Sequence, residues 1–197
     1  MTHARTLLLA FGLLALLAGC GNASAADIAA GKTLAEGCAP CHGAGGVSQT
    51  PLTPSLAGEP DDFTQWQLVF FRSGRRQSDV MEPIAQALSN PDVRNLGAYY
   101  ASLPAPKPAP AAAADTLAQE GAKLAAERRC RSCHGDAYEG EGPAARLAGQ
   151  REDVLVKALH DYKSGARVAP GVASMADVVY GLTDNDMRAL AHFMATR

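Results

Sequence analysis

Apolar positions along the chain form one continuous run and several stripes of helical period. The run, residues 7–17, is too short to cross a bilayer as a stable helix and follows a weak positive start at Arg5. Among the stripes, Val93, Leu96, Gly97 and Tyr100 recur at i, i+3, i+4 and i+7, and Met187, Leu190, Ala191 and Met194 repeat that spacing. Ahead of them, Ser89-Asn90-Pro91-Asp92 and Thr183-Asp184-Asn185-Asp186 place a hydroxyl three residues before a carboxylate, a variant of the capping box that starts a helix. A second pair of stripes runs through Phe63, Trp66, Leu68, Phe70 and Phe71, and through Val154, Leu155, Ala158, Leu159 and Tyr162. Shorter segments near 29–35 and 118–126 predict one further helix in each half. No stretch alternates apolar and polar residues as a strand demands, so the pattern predicts an all-α fold.

The paired stripes belong to an internal repeat. Residues 27–103 match 115–197 along their length with a shift of 91 to 94. Cys38-Ala39-Pro40-Cys41-His42-Gly43 returns as Cys130-Arg131-Ser132-Cys133-His134-Gly135, and Leu56-Ala57-Gly58 returns as Leu147-Ala148-Gly149. Phe71, Gly74 and Arg76 return as Tyr162, Gly165 and Arg167, and Met81 returns as Met175. Pro51 and Pro143 each lie nine residues beyond their histidine. Two copies predict two domains of one fold, 27–103 and 115–197. Between them, 104–114 interleaves proline with alanine and lysine before a run of alanines, a composition that favours an extended, semi-rigid spacer of at most ~35 Å. The domains are therefore expected to lie close enough to pack.

Composition adds two constraints. With 18 Lys and Arg against 20 Asp and Glu, the chain has no basic stripe for nucleic acid. Aromatics make up only 6%, which is thin for two separate cores, so each small domain needs a staple, a metal or a large apolar cofactor. Residues 1–20 read as a signal peptide. Its end, Leu17-Ala18-Gly19-Cys20, resembles the lipobox of bacterial lipoproteins, in which cleavage leaves Cys20 as a lipidated N-terminus. The alternative is cleavage after Ala23-Ser24-Ala25, which discards Cys20. Either route exports the protein, and the first tethers it to a membrane facing the periplasm.

The remaining four cysteines carry the chemistry. Cys-x-x-Cys-His is the pattern of c-type haem attachment: two thiols reach the vinyl groups of one porphyrin, and the adjacent histidine becomes an iron ligand. Redox disulfides of the thioredoxin type belong beside a βαβ pattern, which is missing here. A shared zinc site would join pairs 89 residues apart, from Cys41 to Cys130, and would leave both histidines unexplained. The expectation is two covalently attached haem c groups, through Cys38 and Cys41 and through Cys130 and Cys133, with His42 and His134 on the metal. Once the leader is removed, the first copy holds one methionine, Met81, and no histidine besides His42. Met81 is then the expected second axial ligand, and the repeat transfers that role to Met175. His160, His192, Met187 and Met194 also lie in the second copy, but they align with Val69, Ala98, Val93 and Tyr100. Ligation by histidine and methionine raises the reduction potential relative to two histidines and leaves no open position for substrate. That points to a one-electron carrier and not an enzyme.

These motifs resemble class I cytochromes c, specifically the two-domain periplasmic cytochromes of the c4 type, over nearly all of the mature chain. The resemblance implies two tandem cytochrome c domains, each wrapping one haem. It implies redox proteins as partners: a terminal oxidase, a periplasmic dehydrogenase or a quinol-oxidising complex. It also implies that a proline carbonyl accepts from the histidine Nδ1–H, a role for which Pro51 and Pro143 are placed, loop punctuation being their other reading. Arg76 and Arg167, in the aromatic-x-x-Gly-x-Arg turns, are expected to pair with haem propionates or else to be solvated surface arginines.

Overall fold

The computed structural model describes residues 25–110, 115–167 and 175–197; the leader with Cys20, residues 111–114 of the linker and the segment before Met175 lie outside them. Ten α-helices among the described residues fall into two sets of five. The first set is α1 (Ile28–Ala35), α2 (Ala39–His42), α3 (Asp61–Arg72), α4 (Met81–Gln86) and α5 (Asn90–Ala101). The second is α6 (Thr116–Glu127), α7 (Arg131–His134), α8 (Glu152–Ser164), α9 (Met175–Val179) and α10 (Asp184–Ala195). Only two isolated bridges, Arg76 with Arg167 and Glu141 with Ala144, interrupt this all-α picture among the described residues.

Short polar side chains start the long helices. Both predicted capping boxes form: Ser89 and Asp92 exchange hydrogen bonds at the start of α5, and Thr183 and Asp186 do so at α10. Asp27 caps α1 by accepting from Ala29 and Ala30 N–H, and Asp115 caps α6 by accepting from Ala118 N–H. Asp61 and Asp62, and likewise Glu152 and Asp153, put negative charge on the first turns of α3 and α8, where the helix dipole favours it.

In each half the C-terminal helix is the hub. Helix α5 packs on α1 and α3, and α10 packs on α6 and α8. The first crossing in each half is set by a glycine. A Cβ on Gly31 would come within 2.1 Å of the Asn95 carbonyl oxygen, and one on Gly121 within 2.1 Å of that of Ala189. Backbone therefore meets backbone, closer than side chains would allow.

The two cores differ in depth. In the second half Leu182, Met187, Val179, Leu190, Phe193 and Met194 are buried, and Tyr138 meets Phe193 edge to face at 5.6 Å. In the first half one buried cluster is Ala35, Leu96 and Tyr100, with Leu34, Leu56, Leu68 and Leu88 only partly buried around it, and Phe70, Phe71 and Val93 are buried outside that cluster. Trp66 departs from the predicted stripe. It is half exposed and stacks on Phe70 at 5.7 Å at the outer edge of α3.

The linker is a strap more than a loose tether. Ala105 Cα lies 3.0 Å from where a Cβ on Gly58 would stand, and Pro106 carbonyl oxygen 2.7 Å from one on Gly149. Ala109 N–H then donates to Ala195 carbonyl at 2.8 Å. The glycine of each Leu-Ala-Gly triplet thus makes room for the chain joining the two copies.

Candidate haem sites and the surface between them

Each cysteine pentad is one turn of helix. His42 N–H donates to Cys38 carbonyl, and His134 N–H to Cys130 carbonyl, both at 3.0 Å. Positions three apart on such a turn share a face, so both thiols of a pair project to one side. None of the four described cysteines is paired in a disulfide; the leading one of each pair is half-buried and the trailing one exposed. Burial pushes the Cys38 and Cys130 thiols up from their ordinary range, which opposes the low thiolate pKa a redox disulfide needs. Among the described residues no group of three or more His, Cys, Asp or Glu side chains converges to hold a bare metal ion, so the two pairs do not build a shared zinc site.

Both histidines are buried, His42 at 7% and His134 at 8% exposure. His42 Nδ1 lies 2.8 Å from Pro54 carbonyl oxygen, and His134 Nδ1 lies 2.8 Å from Ala145 carbonyl oxygen. A carbonyl can only accept, so each Nδ1 carries the proton and each Nε2 keeps its lone pair. Burial holds both imidazoles below their ordinary pKa, in the neutral form that binds a metal. The thiol pairs, the fixed imidazole tautomers and the shallow apolar core of the first half fit covalently attached haem.

The carbonyl assignment corrects the expectation for Pro51 and Pro143. Both prolines are exposed and sit in surface turns closed by Thr53 N–H to Thr50 carbonyl and by Ala144 N–H to Glu141 carbonyl. The chain leaving each turn brings a later carbonyl to the imidazole. The accepting residues, Pro54 and Ala145, each stand two positions before the Leu-Ala-Gly triplet. Counting back from the triplet finds them, whereas counting forward from the histidine does not.

Met81 and Met175 occupy equivalent places as the first residues of α4 and α9, and Met81 N–H is held by Ser78 hydroxyl at 3.1 Å. The competing side chains of the second half lie on α8 and α10. His192 Nε2 meets Asp115 at 2.7 Å and its Nδ1 meets Glu152 at 2.8 Å, which uses both ring nitrogens and raises its pKa, Glu152 contributing most. Met187 and Met194 are core residues of α10, and His160 lies on α8.

Arg76 and Arg167 meet across the surface between the halves, which their separate positions in the repeat did not reveal. Their backbones form an antiparallel bridge, and Gln67 Oε1 accepts from Arg76 Nη1 at 2.7 Å and from Arg167 Nη2 at 2.8 Å. Each guanidinium also stacks on its own turn's aromatic ring, Arg76 on Phe71 at 4.5 Å and Arg167 on Tyr162 at 4.7 Å. Burial, reinforced by the neighbouring Arg167, pushes the Arg76 guanidinium down to about 9. Two neighbouring cations, Arg167 buried and Arg76 partly buried, sharing one neutral oxygen form an anion-seeking site.

The same surface holds residues that motif reading missed. Ser55 N–H donates to Gln150 Oε1 and Gln150 Nε2 donates to Ser55 carbonyl, both at 2.9 Å and both buried. Reciprocally, Arg146 N–H donates to Glu59 Oε2 at 2.9 Å and Arg146 Nε to Gly58 carbonyl at 3.0 Å. Glu59 and Gln150 are the residues that follow the two triplets. Extending the repeat by one position, from Leu-Ala-Gly to Leu-Ala-Gly-Glu and Leu-Ala-Gly-Gln, was the available signal.

Comparison with known proteins agrees with this duplicated geometry. Residues 118–197 match the cytochrome c family, and residues 26–99 match the family described as cytochrome c oxidase, cbb3-type, subunit III. A thiosulfate dehydrogenase electron acceptor from Thiomonas intermedia (strain K12) is 34% identical, over 89% of this chain and 85% of its own length. A cytochrome c4 from Thiocapsa roseopersicina is 31% identical, over 85% and 91%. The crystal structure of reduced recombinant cytochrome c4 from Pseudomonas stutzeri superposes with a TM-score of 0.79 at 26% identity, covering 87% of this chain and 99% of that one.

Proposed function

We propose a function from one premise: the chain belongs to the cytochrome c family, as a two-domain, di-haem cytochrome of the c4 type. It carries two covalently attached haem c groups and passes electrons between redox proteins. In the proposed arrangement Cys38 and Cys41 hold the first haem, and Cys130 and Cys133 the second. His42 and His134 would hold iron through Nε2, with Met81 and Met175 as its other protein ligands. Haem iron, when bound, supplies a reversible one-electron couple.

The chain's own residues set the conditions for that couple. Pro54 and Ala145 carbonyls fix the two imidazoles and strengthen their basicity by accepting the Nδ1 proton. The soft thioethers of Met81 and Met175 would hold the iron together with the two histidines and would favour its reduced state. Arg76 and Arg167 are assigned to haem propionates, since their paired guanidiniums match carboxylate geometry and have Gln67, a neutral side chain, as their shared partner. The single observation that carries this reading is the duplicated hold on His42 and His134 at 2.8 Å.

The proposed setting is the periplasm, reached through the leader 1–20, with Cys20 as a lipid tether where the lipobox is cut. No described helix is long and apolar enough to cross a membrane. The name of the Thiomonas relative supports a dehydrogenase of an inorganic sulfur compound as electron donor; a terminal oxidase or a quinol-oxidising complex completes the partner set. Rapid mixing of the oxidised holoprotein with a reduced thiosulfate dehydrogenase tests this. Reduction of both haems is expected, with no thiosulfate or peroxide consumed by the holoprotein alone; turnover of either by the isolated protein would overturn the carrier reading.

A further inference from the structure

Four hydrogen bonds already described share two peptide groups. The peptide joining Pro54 to Ser55 accepts from His42 Nδ1–H through its oxygen and donates through its N–H to Gln150 Oε1. The peptide joining Ala145 to Arg146 accepts from His134 Nδ1–H and donates to Glu59 Oε2. Gln150 belongs to the second domain and serves the first domain's histidine, while Glu59 belongs to the first and serves the second's. We propose that Gln150 and Glu59 are crossed positioning residues: each domain, through one polarised peptide, sets the proximal imidazole of the haem in the other.

The physical case has three parts. An amide whose N–H is bonded becomes a stronger acceptor at its oxygen, because the peptide dipole is shared along the chain of bonds. A better acceptor draws the Nδ1 proton further from the ring, raises the basicity of Nε2 and so favours ferric iron. Glu59, Gln150 and Ser55 are all buried, at 4%, 6% and 3% exposure, so water does not compete for these bonds. The two relays are equivalent in the repeat but unequal in chemistry, since one ends on a carboxyl group and the other on a neutral amide. Arg146, Arg167 and Arg76 are the charged groups acting on Glu59 from the packed surfaces around it.

The inference rests on His42 and His134 being iron ligands. Its test is the full-length, haem-loaded protein, with the imidazole Nδ1–H resonances followed by NMR in the reduced state and the two haem midpoints by titration. Gln150→Ala, which changes no charge, is expected to move the His42 signal and raise the first haem's midpoint while leaving the second in place. Glu59→Ala is expected to move the His134 signal and raise the second haem's midpoint, and Glu59→Gln, which restores an acceptor, to return the His134 signal towards its native position. Variants that disturb only the haem of their own domain, both haems equally, or neither would overturn the crossed arrangement while the native spectrum still reports two ligated histidines. A native spectrum without two iron-bound histidines would overturn the ligand assignment itself, and the relay with it.

Discussion

Glu59 is a carboxyl group buried at the seam between the two halves, and burial pushes its pKa up to about 8 from 4.5, against the opposing pull of Arg146 N–H, the Arg146 and Arg167 guanidiniums and Gln150. The folded protein therefore keeps a proton that the unfolded chain releases above pH 4.5. Its contribution to stability is complete below that pH and is lost as pH rises towards 8, by an amount on the order of a few kcal/mol. Glu59→Gln is expected to flatten the stability profile between pH 5 and 8 and to be the more stable protein at the upper end. Denaturant melts at several pH values check this, and parallel profiles for the two proteins would contradict it. At this scale the four cysteines and two histidines were readable because attachment chemistry demands adjacent side chains. The carbonyls that hold the histidines were not, because a backbone oxygen leaves no residue-type signature; only the register of the repeat points to Pro54 and Ala145.

Among elements, the long helices were legible where a 3.6-residue period and a polar cap coincide, as at α5 and α10. Trp66 was misplaced because an apolar stripe on α3 does not say where its edge falls. The crossings were hidden too, since Gly31 and Gly121 look like weak points in a helix until a neighbouring backbone is brought against them. Gly121→Ala would drive a Cβ to 2.1 Å from Ala189 carbonyl oxygen and 2.6 Å from Phe193 Cβ, both on α10, so α6 must move away. A loss of about 1–3 kcal/mol is expected from this overpacking, set against the roughly 1 kcal/mol that alanine ordinarily gains over glycine in a helix. Thermal or denaturant melting decides it, and a stabilised variant would show that the two helices do not cross as closely as described.

At the scale of the whole molecule, two similar halves have been joined so that the seam is part of the working apparatus. The linker lies against the glycine of each triplet, Gln67 gathers an arginine from each half, and Glu59 and Gln150 reach across in opposite directions. The repeat predicted two domains but not their contact, since pairing between copies depends on residues 95 or 87 positions apart that no local pattern links. The shallow core of the first half is consistent with a fold completed by its cofactor and its neighbour together. The central claim is that each half holds one haem through two thioethers and exchanges one electron. Intact-mass measurement combined with coulometric titration of protein from a host competent in cytochrome maturation tests it directly. The expected result is the mass of two added haems, no alkylatable thiol at Cys38, Cys41, Cys130 or Cys133, and two electrons taken up per chain. A mass lacking both haems, with those four thiols free, would contradict it.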